Sequence, residues 1–427
     1  MTVGTIFALS SGRPPAAISV IRISGPRAHE AGIKLAGALP EARMAAVREL
    51  RHPASGDLLD EALMLRFDSP ASSTGEDVVE FQCHGGRAVV DAVLAAIGTI
   101  DGLRPAEPGE FTRRAFDNGR MDLTEAEGLA DLIEAETEVQ RKAALALAEG
   151  GLRKQVEAWQ EVLLALSARA EQAIDYADED ETGIDAALSR DCAVLAGELG
   201  QWLERPRIEP LKDGIKVVVA GPPNSGKSSL LNSIAGEERA IVTDIQGTTR
   251  DHIEVPLSLA GIPILLTDTA GLRDSADEVE KIGVARAGEL IQRADVLVWL
   301  GESDEAPSHG RLIRVQSKSD LPGRSNAPAG SISVSALSGQ GIAVLLEAIG
   351  DAVSQLLPAE DAIALNRRQA KHIAEAAEAL GQAAAGDDVV LVAESLRAAR
   401  VAFDRLTGRA GLEDVLDALF SRFCLGK

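Results

Sequence analysis

Aromatic residues are scarce in this 427-residue chain: eight Phe, three Trp and one Tyr, 3% of the sequence. Binding single-stranded nucleic acid by stacking needs many aromatic faces, so that class is disfavoured. Cysteine is scarcer still. Cys83, Cys192 and Cys424 lie far apart and form no CxxC pair. That argues against a structural zinc site or a disulfide framework and fits a reducing compartment. No apolar run approaches the roughly 20 residues that span a bilayer, and mean hydropathy is near zero. A soluble, cytoplasmic protein without membrane contact is expected. The first residues lack a charged stretch followed by an apolar one, so no signal peptide is expected. Positive charge is also in deficit, with 43 Lys and Arg against 66 Asp and Glu, net −23. Such a surface repels phosphate backbones over most of its area. Any nucleic-acid contact must be local or supplied by a partner. The acidity itself admits two readings, solubility alone or a role toward a partner.

What is present is length for two or three domains and a 45% hydrophobic share to fill their cores. Residues 1–118 mix short apolar runs at 18–23, 62–67 and 78–83 with glycine and proline turns. After His84-Gly85-Gly86 comes a helical stretch at 88–97, and the zone reads as α+β. Residues 119–212 turn helical, and Thr124-Glu125-Ala126-Glu127 matches a capping box. Leu152, Val156, Trp159, Leu163, Leu166, Ala170 and Ala173 fall on one helical stripe, the seam of a bundle. The acidic run at 178–181 should end it. Residues 213–352 alternate strands and helices. Residues 353–427 are helical again, with Leu412, Val415, Leu416, Leu419, Phe420 and Phe423 on one face. Each helical flank carries an apolar stripe that needs a partner surface. The economical arrangement is one discontinuous all-α helical domain with the α/β domain inserted in it.

The α/β zone carries phosphate chemistry. A strand-like run at 216–220 leads into Gly221-Pro222-Pro223-Asn224-Ser225-Gly226-Lys227-Ser228, which fits G-x-x-x-x-G-K-[ST], and a helix follows. Glycines let backbone N–H groups converge on a β-phosphate at a helix N-terminus. Lys227 should reach the β- and γ-phosphates, and the Ser228 hydroxyl should bind Mg²⁺, a hard ion that prefers oxygen. A second apolar run at 264–267 ends in Asp268-Thr269-Ala270-Gly271. There Asp268 can hold the Mg²⁺ shell through water, and Gly271 can offer its N–H to the γ-phosphate. Between them lies Gly247-Thr248-Thr249-Arg250-Asp251, a polar loop with a hydroxyl suited to completing that shell, for which Thr249 is the candidate. Together these describe a P-loop nucleotide hydrolase of Ras-like α/β type.

Base choice comes next. Ser317-Lys318-Ser319-Asp320 follows a strand-like run at 311–315, where GTPases carry Asn-Lys-x-Asp. The aspartate accepts two hydrogen bonds from the guanine edge. Ser317 is a departure, and the bond it forgoes is worth ~0.5–1.5 kcal/mol. Guanine choice should survive, because Asp320 carries it. Ser335-Ala336-Leu337 matches the Ser-Ala-x element, whose backbone contacts the base.

With both flanks included, the chain resembles the MnmE (TrmE) family of tRNA modification GTPases. The strings that carry the resemblance are Ile21-Arg22-Ile23-Ser24-Gly25, Thr74-Gly75-Glu76-Asp77-Val78-Val79-Glu80, His84-Gly85-Gly86, Pro108-Gly109-Glu110-Phe111-Thr112, Arg114-Ala115-Phe116 and Asp122-Leu123-Thr124-Glu125-Ala126-Glu127. The end, Phe423-Cys424-Leu425-Gly426-Lys427, is similar to the family's Cys-x-Gly-Lys terminus. The resemblance implies an N-terminal tetrahydrofolate-binding and dimerisation domain, and a homodimer. It implies a heterotetramer with the FAD-dependent MnmG (GidA), with tRNA bound largely through that partner. The pair would place an aminomethyl or carboxymethylaminomethyl group on C5 of the wobble uridine, drawing one carbon from a folate such as 5,10-methylene-tetrahydrofolate.

The implied folate positions are Arg22, Glu80, Arg120 and Lys427. Arg120 stands where the family usually has lysine, which keeps the charge and changes the donor geometry. The implied GTP contacts are Asn224, Ser225, Gly226, Lys227, Ser228, Ser229, Thr243, Asp244, Ile245, Gln246, Gly247, Thr248, Thr249, Asp268, Thr269, Ala270, Gly271, Ser317, Lys318, Asp320, Ser335, Ala336 and Leu337. A K⁺ ion, in place of an arginine finger, would be held by the Asn224 side chain and the backbone of Thr243, Ile245 and Thr248. A finger-type charge is worth about 10³–10⁵ in rate. Glu280 matches the residue that orients the attacking water; otherwise it is a solvated helix-face glutamate. Cys424 is either a nucleophile activated near Lys427 or a small buried residue beside Phe423. The rival class is an Era- or Der-like ribosome-assembly GTPase. Such a protein normally carries a basic RNA-binding appendage, and this sequence shows none.

Overall fold

The computed structural model describes residues 4–175, 186–237, 254–269, 288–302, 304–322, 324, 328–357, 363–410, 413–423 and 426. Contacts divide the chain into two compact units, residues 1–130, 147–189 and 382–427 in one, and residues 131–146 and 190–381 in the other.

In the first unit, alternating apolar residues build β1 (Thr5–Leu9), β2 (Ile18–Ser24), β3 (Ala46–Arg51), β4 (Leu58–Phe67), β5 (Val78–His84) and β6 (Leu103–Pro105). The sheet order is β3-β4-β5-β2-β1-β6, antiparallel throughout except for β1 beside β6. Ile21, Ile23, Met64, Val79 and Phe81 point to one face and are buried with residues of the helices Ala28–Ala36 and Arg87–Gly98. The opposite face is covered in part, where Ile6 and Ala8 are buried with Ala106 and Phe111.

The helix Leu123–Glu134 starts two residues earlier than the Thr124–Glu127 capping box requires. Asp122 is the cap. Its Oδ1 accepts from Thr124 Oγ1 and from Glu125 N, and Glu125 Oε2 accepts from Asp122 N at 2.7 Å. The box is therefore Asp-x-x-Glu at 122 and 125. Aspartate caps as well as serine or threonine, and Thr124 is left to point inward, fully buried.

The seam was legible. Leu152, Val156, Trp159, Leu163, Leu166 and Ala170 are all buried on the helix Gly151–Asp175, while Ala173 is half-buried. The acidic run at 178–181 lies outside the described residues. The partner of that stripe is the helix Val389–Thr407, which comes from the far side of the α/β zone. Trp159 and Phe403 stack with ring centroids 5.9 Å apart. The last helix, Glu413–Phe420, buries Leu416, Leu419 and Phe420 against Leu123, Ala126 and Ala130; Leu412 lies outside the described residues. Segments separated by the whole α/β zone thus share one helical core.

The second unit holds β7 (Ile215–Ala220), β8 (Glu254–Leu259), β9 (Ile262–Asp268), β10 (Val296–Trp299), β11 (Leu312–Gln316) and β12 (Ser331–Ser333). Their order is β12-β11-β10-β7-β9-β8, parallel except for the edge strand β8. β7 and β9 are buried on nearly every residue, as central parallel strands with both faces covered must be. The chain enters and leaves this region side by side. Ile208 N donates to Leu365 O at 3.2 Å, and Arg207 bridges to Leu365. Adjacent ends are what an inserted domain needs.

Candidate nucleotide site and family comparison

After β7 the chain goes to β9 on one side and later to β10 on the other. The β7 carboxyl end is therefore a topological switch point, where open α/β sheets bind ligands. The 221–228 loop leaves from it and enters the helix Lys227–Glu237. Gly226 has φ +95°, a conformation open to glycine and costly to other residues, and it turns the loop into the helix. Asn224 also takes a positive φ, +60°, which asparagine tolerates better than most.

The Lys227 ammonium is buried and donates to the carbonyls of Gly221 at 3.0 Å and Pro222 at 2.8 Å. Those bonds fix the ammonium against its own loop. Ser228 Oγ donates to Asp268 Oδ2 at 2.6 Å, and Asp268 is 1% exposed. The β7–β9 register pairs Val219 with Asp268, so the two motifs leave neighbouring strand ends at one level. A hydroxyl and a carboxylate so placed are the hard oxygen donors that suit Mg²⁺. Thr269 N donates to Val219 O, tying the second motif to the strand that carries the first.

The base side is built from β11 and β12. Gly226, Ser229, Ser317, Lys318, Asp320, Ala336 and Leu337 line a cavity of about 330 Å³. Asp320 is oriented by Ser335, whose Oγ donates to Asp320 Oδ1 at 2.6 Å. Ser319 N donates to Val334 O at 3.0 Å and pins the loop to the end of β12. The Ser317 hydroxyl donates to the carbonyl of Ser225 at 2.5 Å. Lys318 Nζ donates to the neighbouring carbonyl, Asn224 O, at 2.7 Å. The motifs single out Ser225, Ser317 and Lys318 and do not reveal this pair of bonds. Nothing in a string shows that these donors reach carbonyls about ninety residues away.

Thr243, Asp244, Ile245, Gln246, Gly247, Thr248, Thr249, Ala270, Gly271 and Glu280 lie outside the described residues, as do Cys424 and Lys427.

Residues 5–120 match the family model described as GTP-binding protein TrmE N-terminus, and residues 123–424 match the MnmE helical domain. The chain belongs to the MnmE family. Three curated relatives, each called tRNA modification GTPase MnmE, align over almost all of it. That of Erythrobacter litoralis is 52% identical over 99% of this chain and 100% of the relative. Those of Novosphingobium aromaticivorans and Zymomonas mobilis are each 49% identical over 99% of this chain, covering 99% and 100% of their own lengths. Among solved structures, the G domain of the T. maritima FeoB iron transporter matches 33% of this chain and 98% of that chain, at 25% identity and a TM-score of 0.24. The GTPase-type sheet is established by its strand order, β12-β11-β10-β7-β9-β8.

The strings that carry the MnmE resemblance meet in the first unit. Glu76 accepts from Ser24 Oγ at 2.7 Å and from both contacts of Arg114 Nη1, at 2.9 and 3.1 Å. Arg114 Nη2 reaches Glu110 Oε1 at 3.0 Å and Gly4 O at 2.8 Å. Asn118 Nδ2 donates to Thr74 O at 2.7 Å. Four of the strings, from three separate stretches of the sequence, thus form one charge-assisted network, which the strings alone do not reveal.

Of the folate positions, Arg22 and Glu80 face each other across β2 and β5, with Arg22 Nε donating to Glu80 Oε1 at 2.7 Å. The guanidinium also lies 5.5 Å from the centre of the Phe111 ring. Arg120 is exposed beside Gly75, and among the described residues no hydrogen bond or ion pair joins it to Arg22 or Glu80. An apolar cavity of about 870 Å³ opens along β1 and β6, lined in part by Phe7, Leu9, Leu94 and Pro105. None of the described folate positions lines it. The penultimate Gly426 reaches β1, where a Cβ on it would meet Leu9 O at 2.0 Å. Cys83 and Cys192 are buried thiols. No described helix is long and apolar enough to cross a membrane.

Proposed function

We propose that this chain is a K⁺-stimulated GTP hydrolase that acts in tRNA modification in the cytoplasm. Together with an FAD-dependent partner of the MnmG (GidA) kind, it would modify the wobble uridine at C5 with a folate-borne carbon. The observation that carries the GTPase part is that Lys227 and Ser228, the latter bonded to Asp268, lie between Gly226 and Ser229, which line the same cavity as Asp320. The tRNA part is supported by relatives of the same name over the full length.

In this reading Lys227 neutralises β- and γ-phosphate charge, and backbone N–H groups of 224–229 orient the triphosphate. Ser228 and Thr249 would hold Mg²⁺, with Asp268 holding its shell through water, and the ion would supply charge stabilisation at the phosphates. Asn224, Thr243, Ile245 and Thr248 would hold K⁺ beside the transferring phosphoryl group, and Glu280 would orient the water. Arg22, Glu80, Arg120 and Lys427 would receive a tetrahydrofolate derivative, with Cys424 nearby as a nucleophile. A homodimer joined by two partner subunits, with tRNA held mainly by the partner, suits a chain of net charge −23.

The test is GTP turnover by the purified protein in KCl and in NaCl. A large excess in KCl is expected. Equal rates would remove the K⁺ element, and no turnover in either salt would remove the hydrolase. Binding of 5-formyl-tetrahydrofolate, weakened by Arg22→Ala, checks the folate element. An unchanged affinity in that variant would remove Arg22 from the site.

A further inference from the structure

We infer that Ser317 does not read the base: it clamps the specificity loop to the phosphate loop, and the N7 edge of guanine goes unread by this side chain. This inference rests on the proposed guanine-nucleotide site.

N7 of guanine is a bare acceptor and can be recognised only by a donor. A serine hydroxyl has one proton to give, whereas an asparagine amide has two. The Ser317 proton is committed to Ser225 O at 2.5 Å, and the residue is 8% exposed. What remains on Ser317 Oγ is lone-pair density, which repels N7. The bond is also one of a pair. Consecutive residues, Ser317 and Lys318, donate to consecutive carbonyls, Ser225 and Asn224. Lys318 holds its place at φ +61°, a backbone conformation a lysine rarely adopts. Asp320 keeps the Watson–Crick edge, since its carboxylate is aimed by Ser335 and does not depend on Ser317. The site should therefore separate guanine from adenine and yet be blind to a change at position 7.

The experiment is calorimetric or competitive titration of the full chain with GTP, 7-deaza-GTP and ATP, with Mg²⁺ present. Wild type is expected to bind GTP and 7-deaza-GTP within about twofold. A preference for GTP over 7-deaza-GTP of fivefold or more would overturn the inference. Ser317→Ala should weaken both guanine nucleotides alike, by about two- to tenfold, and Ser317→Thr should restore both. Loss confined to GTP would count against a clamp. Ser317→Asn, which keeps a donor for the Ser225 carbonyl and adds one, should gain selectivity for GTP over 7-deaza-GTP; no gain would overturn the donor argument even if the alanine variant fails to fold. ATP distinguishes the levels. ATP bound as tightly as GTP removes the guanine site and this inference with it, whereas GTP preferred to both analogues removes the inference alone.

Discussion

Replacing Asp320 with asparagine should convert the base site from guanine to xanthine. The Ser335 hydroxyl decides how the new side chain sits. In the native site it donates to Asp320 Oδ1 at 2.6 Å. In the variant the amide oxygen takes that proton, which leaves the NH₂ group facing the cavity. Guanine presents N1–H and N2–H donors there, so a donor meets donors. One charge-assisted bond is lost, at about 1.5–3 kcal/mol, and one donor is left unsatisfied, at about 1–3 kcal/mol. The sum corresponds to roughly 10²–10⁴ in affinity. Asp320 is exposed, so solvent screens part of this and the lower end is expected. Xanthine carries a carbonyl at C2, an acceptor that matches the amide. XTP affinity should therefore rise in Asp320→Asn while GTP affinity falls about a hundredfold. Competition against a fluorescent guanine nucleotide measures both, with circular dichroism as the folding control. If the variant bound GTP within about threefold of wild type, or XTP no better than wild type does, Asp320 would not be the residue that reads the base.

Four other parts of the molecule can be tested in the same way. Ser228→Ala removes the donor at 2.6 Å from buried Asp268, and the gain in GTP affinity on adding Mg²⁺ should shrink; an undiminished Mg²⁺ effect in titrations with and without chelator would argue against Ser228 as a ligand. Phe403→Ala opens the fully buried stack on Trp159 and should cost about 3–5 kcal/mol in denaturant unfolding, with a cost below 1 kcal/mol speaking against a core shared by the two helical flanks. Gly109→Ala should destabilise by at least about 1–3 kcal/mol, because Gly109 has φ +70° and its new Cβ would lie 2.2 Å from Phe420 O; an unchanged melting temperature would contradict that packing. Burial, and then the charge of Asp60, push the Cys83 thiol from its ordinary 9.0 up to about 12. The fold favours the neutral thiol, so that contribution is complete below about pH 9 and is lost as pH rises toward 12; native Cys83 should resist iodoacetamide at pH 8, and rapid labelling there would refute it.

The fold was legible wherever one face of an element had to be buried. The stripe from Leu152 to Ala170 and the run at 216–220 are apolar for reasons of packing, and both lie where the pattern puts them. The cap of the helix Leu123–Glu134 was misplaced by two residues because aspartate and threonine both cap, and only the fold shows that Thr124 is needed in the core. Glu76 and Arg114 could be recognised as parts of strings. Their meeting depends on how β2, β5 and the helix Glu110–Asp117 pack, and no local rule encodes that.

The nucleotide site shows the same division at finer grain. Each motif announces the chemistry of its own ligand: a lysine for phosphate, a hydroxyl beside a carboxylate for a hard cation, a carboxylate for paired donors. What no motif announces is how each side chain spends its remaining protons. From the string alone, Ser317 is a shortened asparagine that loses a contact. In the fold it keeps a contact, with Ser225 O at 2.5 Å, and that bond decides what the residue can no longer do. A hydroxyl with a single proton cannot hold the phosphate loop and read the base at once. The departure from Asn-Lys-x-Asp therefore leaves the architecture of the site intact and narrows what it recognises to the edge that Asp320 faces.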